Sequence, residues 1–194
     1  MMLLAKGLVE SGKHLETLHL WNCSLTQKSG SHLQDIVKSC PNLKKLVLGE
    51  NAIEDNGARQ LARALLDERN SGKQIQLEKL HMQGCGMTEK SASALRDIIV
   101  ACSRLKVLRL NENRIADTSV NMMAKAMGNE NEHLEELAIR NCSLTDEVVP
   151  ALRKIVMGSP RLKLLGVSVN SFTDATTSEV DSLGELRPGL QVIV

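Results

Sequence analysis

The sequence predicts a curved α/β solenoid, a horseshoe arc with parallel strands on its concave face and helices on its convex face. Three observations lead there. Six segments fit the template L-x-x-L-x-L-x-x-(N or C)-x-L: LETLHLWNCSL from Leu15, LKKLVLGENAI from Leu43, LEKLHMQGCGM from Leu77, LKVLRLNENRI from Leu105, LEELAIRNCSL from Leu134 and LKLLGVSVNSF from Leu162. Their starts are 28, 34, 28, 29 and 28 residues apart, and a stub, LQVIV, follows 28 residues later at Leu190. Between the segments an apolar stripe with helical spacing recurs. One domain of 194 residues follows: a partial repeat over 1–14, six repeats over 15–189 and a strand stub over 190–194.

Each element has a local reason. In LETLHL the alternation sends Leu18 and Leu20 to one side of a short strand and Thr17, His19 and Trp21 to the other. Strands that all run the same way stack as a parallel sheet. The Asn or Cys position turns inward where the chain leaves the strand, and its side chain can bond backbone groups that would otherwise be buried unpaired. The helical stripes are Leu33, Ile36 and Val37; Leu95, Ile98 and Ile99; and Leu152, Ile155 and Val156. Thr26, Thr88, Thr145, Asp55 and Asp117 precede the stripes and are predicted N-caps. In the 34-residue repeat the helical residues hold register, so the six extra residues are predicted in the polar loop DERNSGKQIQ. An amphipathic helix carrying Leu4, Leu8 and Val9 is predicted at the N-terminus. No capping segment precedes it, which suggests the C-terminal part of a longer protein.

The turn position alternates: Cys23, Asn51, Cys85, Asn113, Cys142, Asn170. Its neighbours alternate too, NCSLT or GCGMT with cysteine and ENAIED, ENRIAD or VNSFTD with asparagine. This pattern resembles the ribonuclease-inhibitor-like leucine-rich repeats. That family includes the cytosolic ribonuclease inhibitor and the C-terminal sensor regions of nucleotide-binding-domain, leucine-rich-repeat (NLR) immune receptors. The resemblance covers about residues 4 to 194 and implies protein recognition rather than catalysis.

The near-identity of LHLWNCSLT and LAIRNCSLT is therefore architectural. A shared cysteine site fails on distance: Cys23 and Cys85 lie two strands apart, roughly 10 Å, beyond the about 7 Å that a disulfide can bridge between Cα atoms. No CxxC, P-loop, HExxH or G-x-S-x-G occurs, so no metal, cofactor or catalytic residue is expected. The five cysteines leave at least one thiol free and favour a cytoplasmic setting. The sequons at Asn22 and Asn141 precede turn cysteines expected to be buried, a poor place for a glycan. Cys40 and Cys102 are expected to pack in the core. Net charge is +1, with 24 basic and 23 acidic residues, which gives no bulk attraction to nucleic acid or membrane. No apolar run approaches the roughly eighteen residues of a membrane span.

Strand alternation then defines the concave face. It carries His19, Trp21, Lys45, Lys79, His81, Gln83, Arg109 and Arg140 as candidate contact residues, with Glu136 as its one carboxylate. Trp and Arg are the types most enriched at binding hot spots. Trp21 is expected to be exposed there, with Lys45 of the next strand nearby. The expected function is a monomeric protein-recognition module, a ligand-sensing or autoregulatory region of an NLR-like protein. The alternatives are a free-standing enzyme inhibitor and, by the repeat type it shares with Ran-activating proteins, a GTPase-activating protein using Arg109 or Arg140.

Overall fold

The computed structural model describes residues 6–7, 12–130 and 132–194. The predicted helix through Leu4, Leu8 and Val9 lies outside the described residues.

Seven three-residue strands form one parallel sheet in chain order: β1 Thr17–His19, β2 Lys45–Val47, β3 Lys79–His81, β4 Val107–Arg109, β5 Glu136–Ala138, β6 Leu164–Gly166 and β7 Gln191–Ile193. The register never slips, so template positions stand side by side. Behind it pack α1 Gly30–Ser39, α2 Glu54–Asn70, α3 Ala92–Ala101, α4 Ala116–Glu130, α5 Val149–Gly158 and α6 Asp174–Ser182. Strands sit about 4.8 Å apart and helices 8–10 Å apart, so stacking one of each per repeat bends the array toward the strands.

The central leucines Leu46, Leu80, Leu108, Leu137 and Leu165 are at most 1 % exposed and meet the helical stripe, for example Leu61, Leu95 and Ile98 at 0 %. Each such side chain contributes about 1.5–3 kcal/mol of transfer free energy. Because neighbouring repeats share these contacts, one hydrophobic core runs the length of the arc.

The two repeat types descend from the turn differently. Cysteine repeats insert a 3₁₀ turn (Gln27–Ser29, Glu89–Ser91, Asp146–Val148) before a ten-residue helix. Asparagine repeats enter the helix within a few residues of the turn. Two predictions are corrected here. The extra length of the 34-residue repeat is largely helical, because α2 runs for 17 residues to Asn70; Glu68 and Arg69 favour helix, and the Arg69 guanidinium donates to the Val100 carbonyl of the next repeat. Asp55 and Asp117 are not N-caps, since they lie inside the first turns of α2 and α4. Their carboxylates instead clamp the following repeat: Asp55 accepts from the Thr88 amide at 2.8 Å and hydroxyl at 2.7 Å, and Asp117 from those of Thr145 at 3.0 and 2.6 Å. Thr88 and Thr145 do cap, accepting from the amides of Lys90 and Glu147.

Candidate binding face

Just past each of the first six strands the backbone turns through a left-handed residue: Asn22, Glu50, Gly84, Glu112, Asn141 and Val169 all have φ between 49° and 62°. That bend drives the next residue inward. Asn113, 2 % exposed, accepts from the amides of Cys85 (3.1 Å) and Met87 (3.0 Å) and donates to the carbonyls of Met82 (2.8 Å), Leu110 (2.8 Å) and Asn111 (3.2 Å). Asn51 does the same for Cys23, Leu25, Leu20, Leu48 and Gly49, and Asn170 for Cys142, Leu144, Ile139 and Val167. Every asparagine thus satisfies the turn of the cysteine repeat before it.

The cysteines reach the other way. The Cys85 thiol donates to the Leu48 carbonyl and the Cys142 thiol to that of Leu110, each at 3.3 Å. Burial pushes both thiols up to about 12. Cys23 departs from the expected burial: it is exposed, and its thiol bonds the Trp21 carbonyl of its own turn. The five cysteines are free thiols, and no group of three metal-ligating side chains gathers among the described residues.

At the start of each strand lies a second row that sequence reasoning missed. Lys44 pairs with Glu16 at 2.8 Å, Lys106 with Glu78 at 2.9 Å and Lys163 with Glu135 at 2.8 Å. The second template residue is Glu in every cysteine repeat and Lys in every asparagine repeat, so the signal was present in the sequence. These bonds hold the carboxyls of Glu78 and Glu135 below their usual range.

The predicted contact residues separate into distinct environments. Trp21 is exposed at 39 %. Its indole lies over Gly49, where an added Cβ would stand 2.5 Å from Cζ3, with Gln83 on the other side. Gly49 therefore makes room for the ring. The register pairs Lys45 with Thr17 and Lys79 instead, so Lys45 does not neighbour Trp21. Arg109 grips Glu136 through two bonds, Nε to Oε1 at 2.6 Å and Nη2 to Oε2 at 3.1 Å, which raises its already high pKa. Arg140 remains exposed, with Nε donating to Ser168 Oγ at 2.6 Å. His19 is exposed beside Val47.

His81 differs from the expected surface histidine. On the inside of the curve, flanked by Val47 and Arg109, it is only 9 % exposed, and its Nε2 has no hydrogen-bond partner. Desolvation, aided by the nearby Arg109 and Lys45 charges, pushes its pKa down to about 4. Gln83 Oε1 is likewise buried without a partner. Crowding on the concave side also buries Val47 and Ala138. No helix among the described residues is long and apolar enough to cross a membrane.

With this geometry in hand, the likenesses to known proteins are specific. Leucine-rich-repeat family models match residues 14–36, 39–62 and 130–147. The chain is 31 % identical to ribonuclease inhibitor of Sus scrofa over 97 % of its own length and 39 % of that protein's. It is 28 % identical to NACHT, LRR and PYD domains-containing protein 3 of Homo sapiens over 89 % of this chain and 16 % of that protein. The chain thus spans well under half the length of these curated relatives. Among solved structures, the tropomodulin C-terminal domain of Caenorhabditis elegans superposes with a TM-score of 0.60 at 19 % identity, covering 82 % of this chain and 91 % of that one. A leucine-rich-repeat protein of Leptospira interrogans gives 0.55 at 16 % identity, covering 94 % and 38 %. At these identities the structural likeness speaks for the fold alone.

Proposed function

This chain is a leucine-rich-repeat protein of the ribonuclease-inhibitor type, and from that premise we propose that it is a non-enzymatic recognition module holding a protein partner on its concave face. The observation that carries the reading is Trp21. Its large ring is seated on Gly49 yet 39 % exposed, so it offers apolar area already fixed in place. Ordering it on binding costs little entropy, and a buried aromatic anchor is worth about 2 kcal/mol or more at an interface.

The two sets of relatives suggest two settings, an immune-receptor repeat region or a free-standing inhibitor. The receptor setting fits a cytoplasmic, monomeric module with free thiols. Lys45, Lys79 and Arg140 make the face a poor trap for a basic enzyme. The GTPase-activating alternative draws no support from Arg109, whose guanidinium is held by Glu136.

A partner captured by the wild-type chain, then purified, supplies the test by titration calorimetry. Trp21→Ala should raise Kd at least about thirtyfold while far-ultraviolet dichroism stays unchanged. Unchanged affinity would move the site to the convex helices or to the loop after Asn70. The full-length transcript separates the settings: a P-loop upstream supports the receptor.

A further inference from the structure

Two lysines on the concave face have no ion-pair partner among the described residues, although the rows that flank them are paired. Lys45 and Lys79 stand directly opposite each other on β2 and β3. Like charges so placed destabilise a sheet. Their outer neighbours in the same row are Thr17 and Val107, which carry no charge. The nearest concave carboxylate, Glu136, is two strands away, with both oxygens engaged by Arg109. Elsewhere the sheet pairs its charges, as Lys44, Lys106 and Lys163 show. The lysine pair is local frustration retained on the same face as the exposed Trp21, and His81, next along the face of β3, leaves Nε2 unpaired.

We propose that Lys45 and Lys79 form a carboxylate-binding subsite, together taking one acidic side chain of an extended protein segment whose apolar residue packs on Trp21. This deepens the concave-face reading and rests on it. The spacing follows from the register. Trp21 lies on Gly49, four residues beyond Lys45, so the two subsites are about 13 Å apart, the reach of four residues of extended chain. The recognised motif is therefore an Asp or Glu about four positions from an aromatic or large aliphatic residue. Two adjacent lysines are too few to track a phosphate backbone, which favours a protein over a nucleic acid.

The test is selection from a phage-displayed random dodecapeptide library on the immobilised full chain, followed by fluorescence polarisation with the winning synthetic peptide. Enriched sequences should carry the acidic and apolar residues at that spacing. Lys45→Glu or Lys79→Glu should each weaken the peptide roughly tenfold at low salt, and less at high salt; Lys45→Arg should retain binding. Folding is controlled within the same variants: Lys45→Glu turns a like-charge pair into an opposite one and should leave the denaturant midpoint equal or higher. Peptides that lose affinity with Trp21→Ala but ignore both lysine reversals would overturn the acidic subsite and leave the concave reading standing. Peptides indifferent to all three changes would overturn both. Basic consensus sequences, no enrichment, or an oligothymidylate bound with the same lysine dependence would also overturn the proposal.

Discussion

Gly49 and Asn51 are two residues apart, yet one belongs to the concave face and the other to the turn ladder, and the two regions follow opposite rules. In the ladder both side-chain polar atoms of Asn51 and Asn113 have partners, supplied by backbone that any repeat of this kind must present. On the face, Lys45 and Lys79 have none among the described residues, His81 Nε2 and Gln83 Oε1 are orphaned, and only Arg109 and Arg140 find side chains. The ladder holds repeats together through bonds that cross from one repeat to the next. The face is held up by that ladder and can keep uncompensated groups at moderate cost.

Breaking the ladder should show the largest effect. Asn113→Ala removes five bonds in a dry environment and should cost about 3 kcal/mol in urea unfolding; Asn170→Ala, half-buried in the last full repeat, should cost less. Equal losses would mean that burial does not set the ladder's strength. Next comes His81. Its pKa is about 4 when folded against about 6.5 when unfolded, so below pH 6.5 the unfolded chain takes up a proton that the folded one refuses. The His81 contribution should be complete above about pH 6.5, fall as pH drops toward 4, and level off below, where the depressed carboxyls of Glu78 and Glu135 take over the loss. His81→Gln should flatten that limb of the midpoint-versus-pH curve.

A smaller effect is expected at Cys85→Ala, about 1 kcal/mol, from a lost small side chain and a weak donor. A cost matching Asn113→Ala would erase the distinction between the two ladder types. Smallest should be Arg109→Ala. Its side chain is 40 % exposed and that of Glu136 17 %, and half-exposed pairs contribute about 0.2–1 kcal/mol. A larger loss would make the face as structural as the ladder.

This contrast also explains what could be read from the sequence. The register, the alternation of Cys and Asn and the concave positions follow from chemistry each repeat must repeat, so six copies made them visible. His81 and Val47 carry no such mark. Their burial comes from curvature, which crowds the inside of the arc and leaves no trace in a two-residue alternation. Trp21 meeting Gly49 rather than Lys45 depends on where the strand ends. The clamp from Asp55 to Thr88 was mistaken for a cap because the same residue types serve both purposes, and only the helix start at Glu54 separates them. The Glu–Lys row was legible and missed: it sits beside the repeated leucines, at positions the template leaves open.

That row sets how such a chain can change length. Excising the repeat that begins at Leu77 would bring Lys44 beside Lys106 and leave Asn113 facing the turn of Asn51, with no cysteine repeat before it to receive its bonds. Excising two neighbouring repeats restores both alternations. The heritable unit of this solenoid is therefore the pair, and the number of repeats should change by twos.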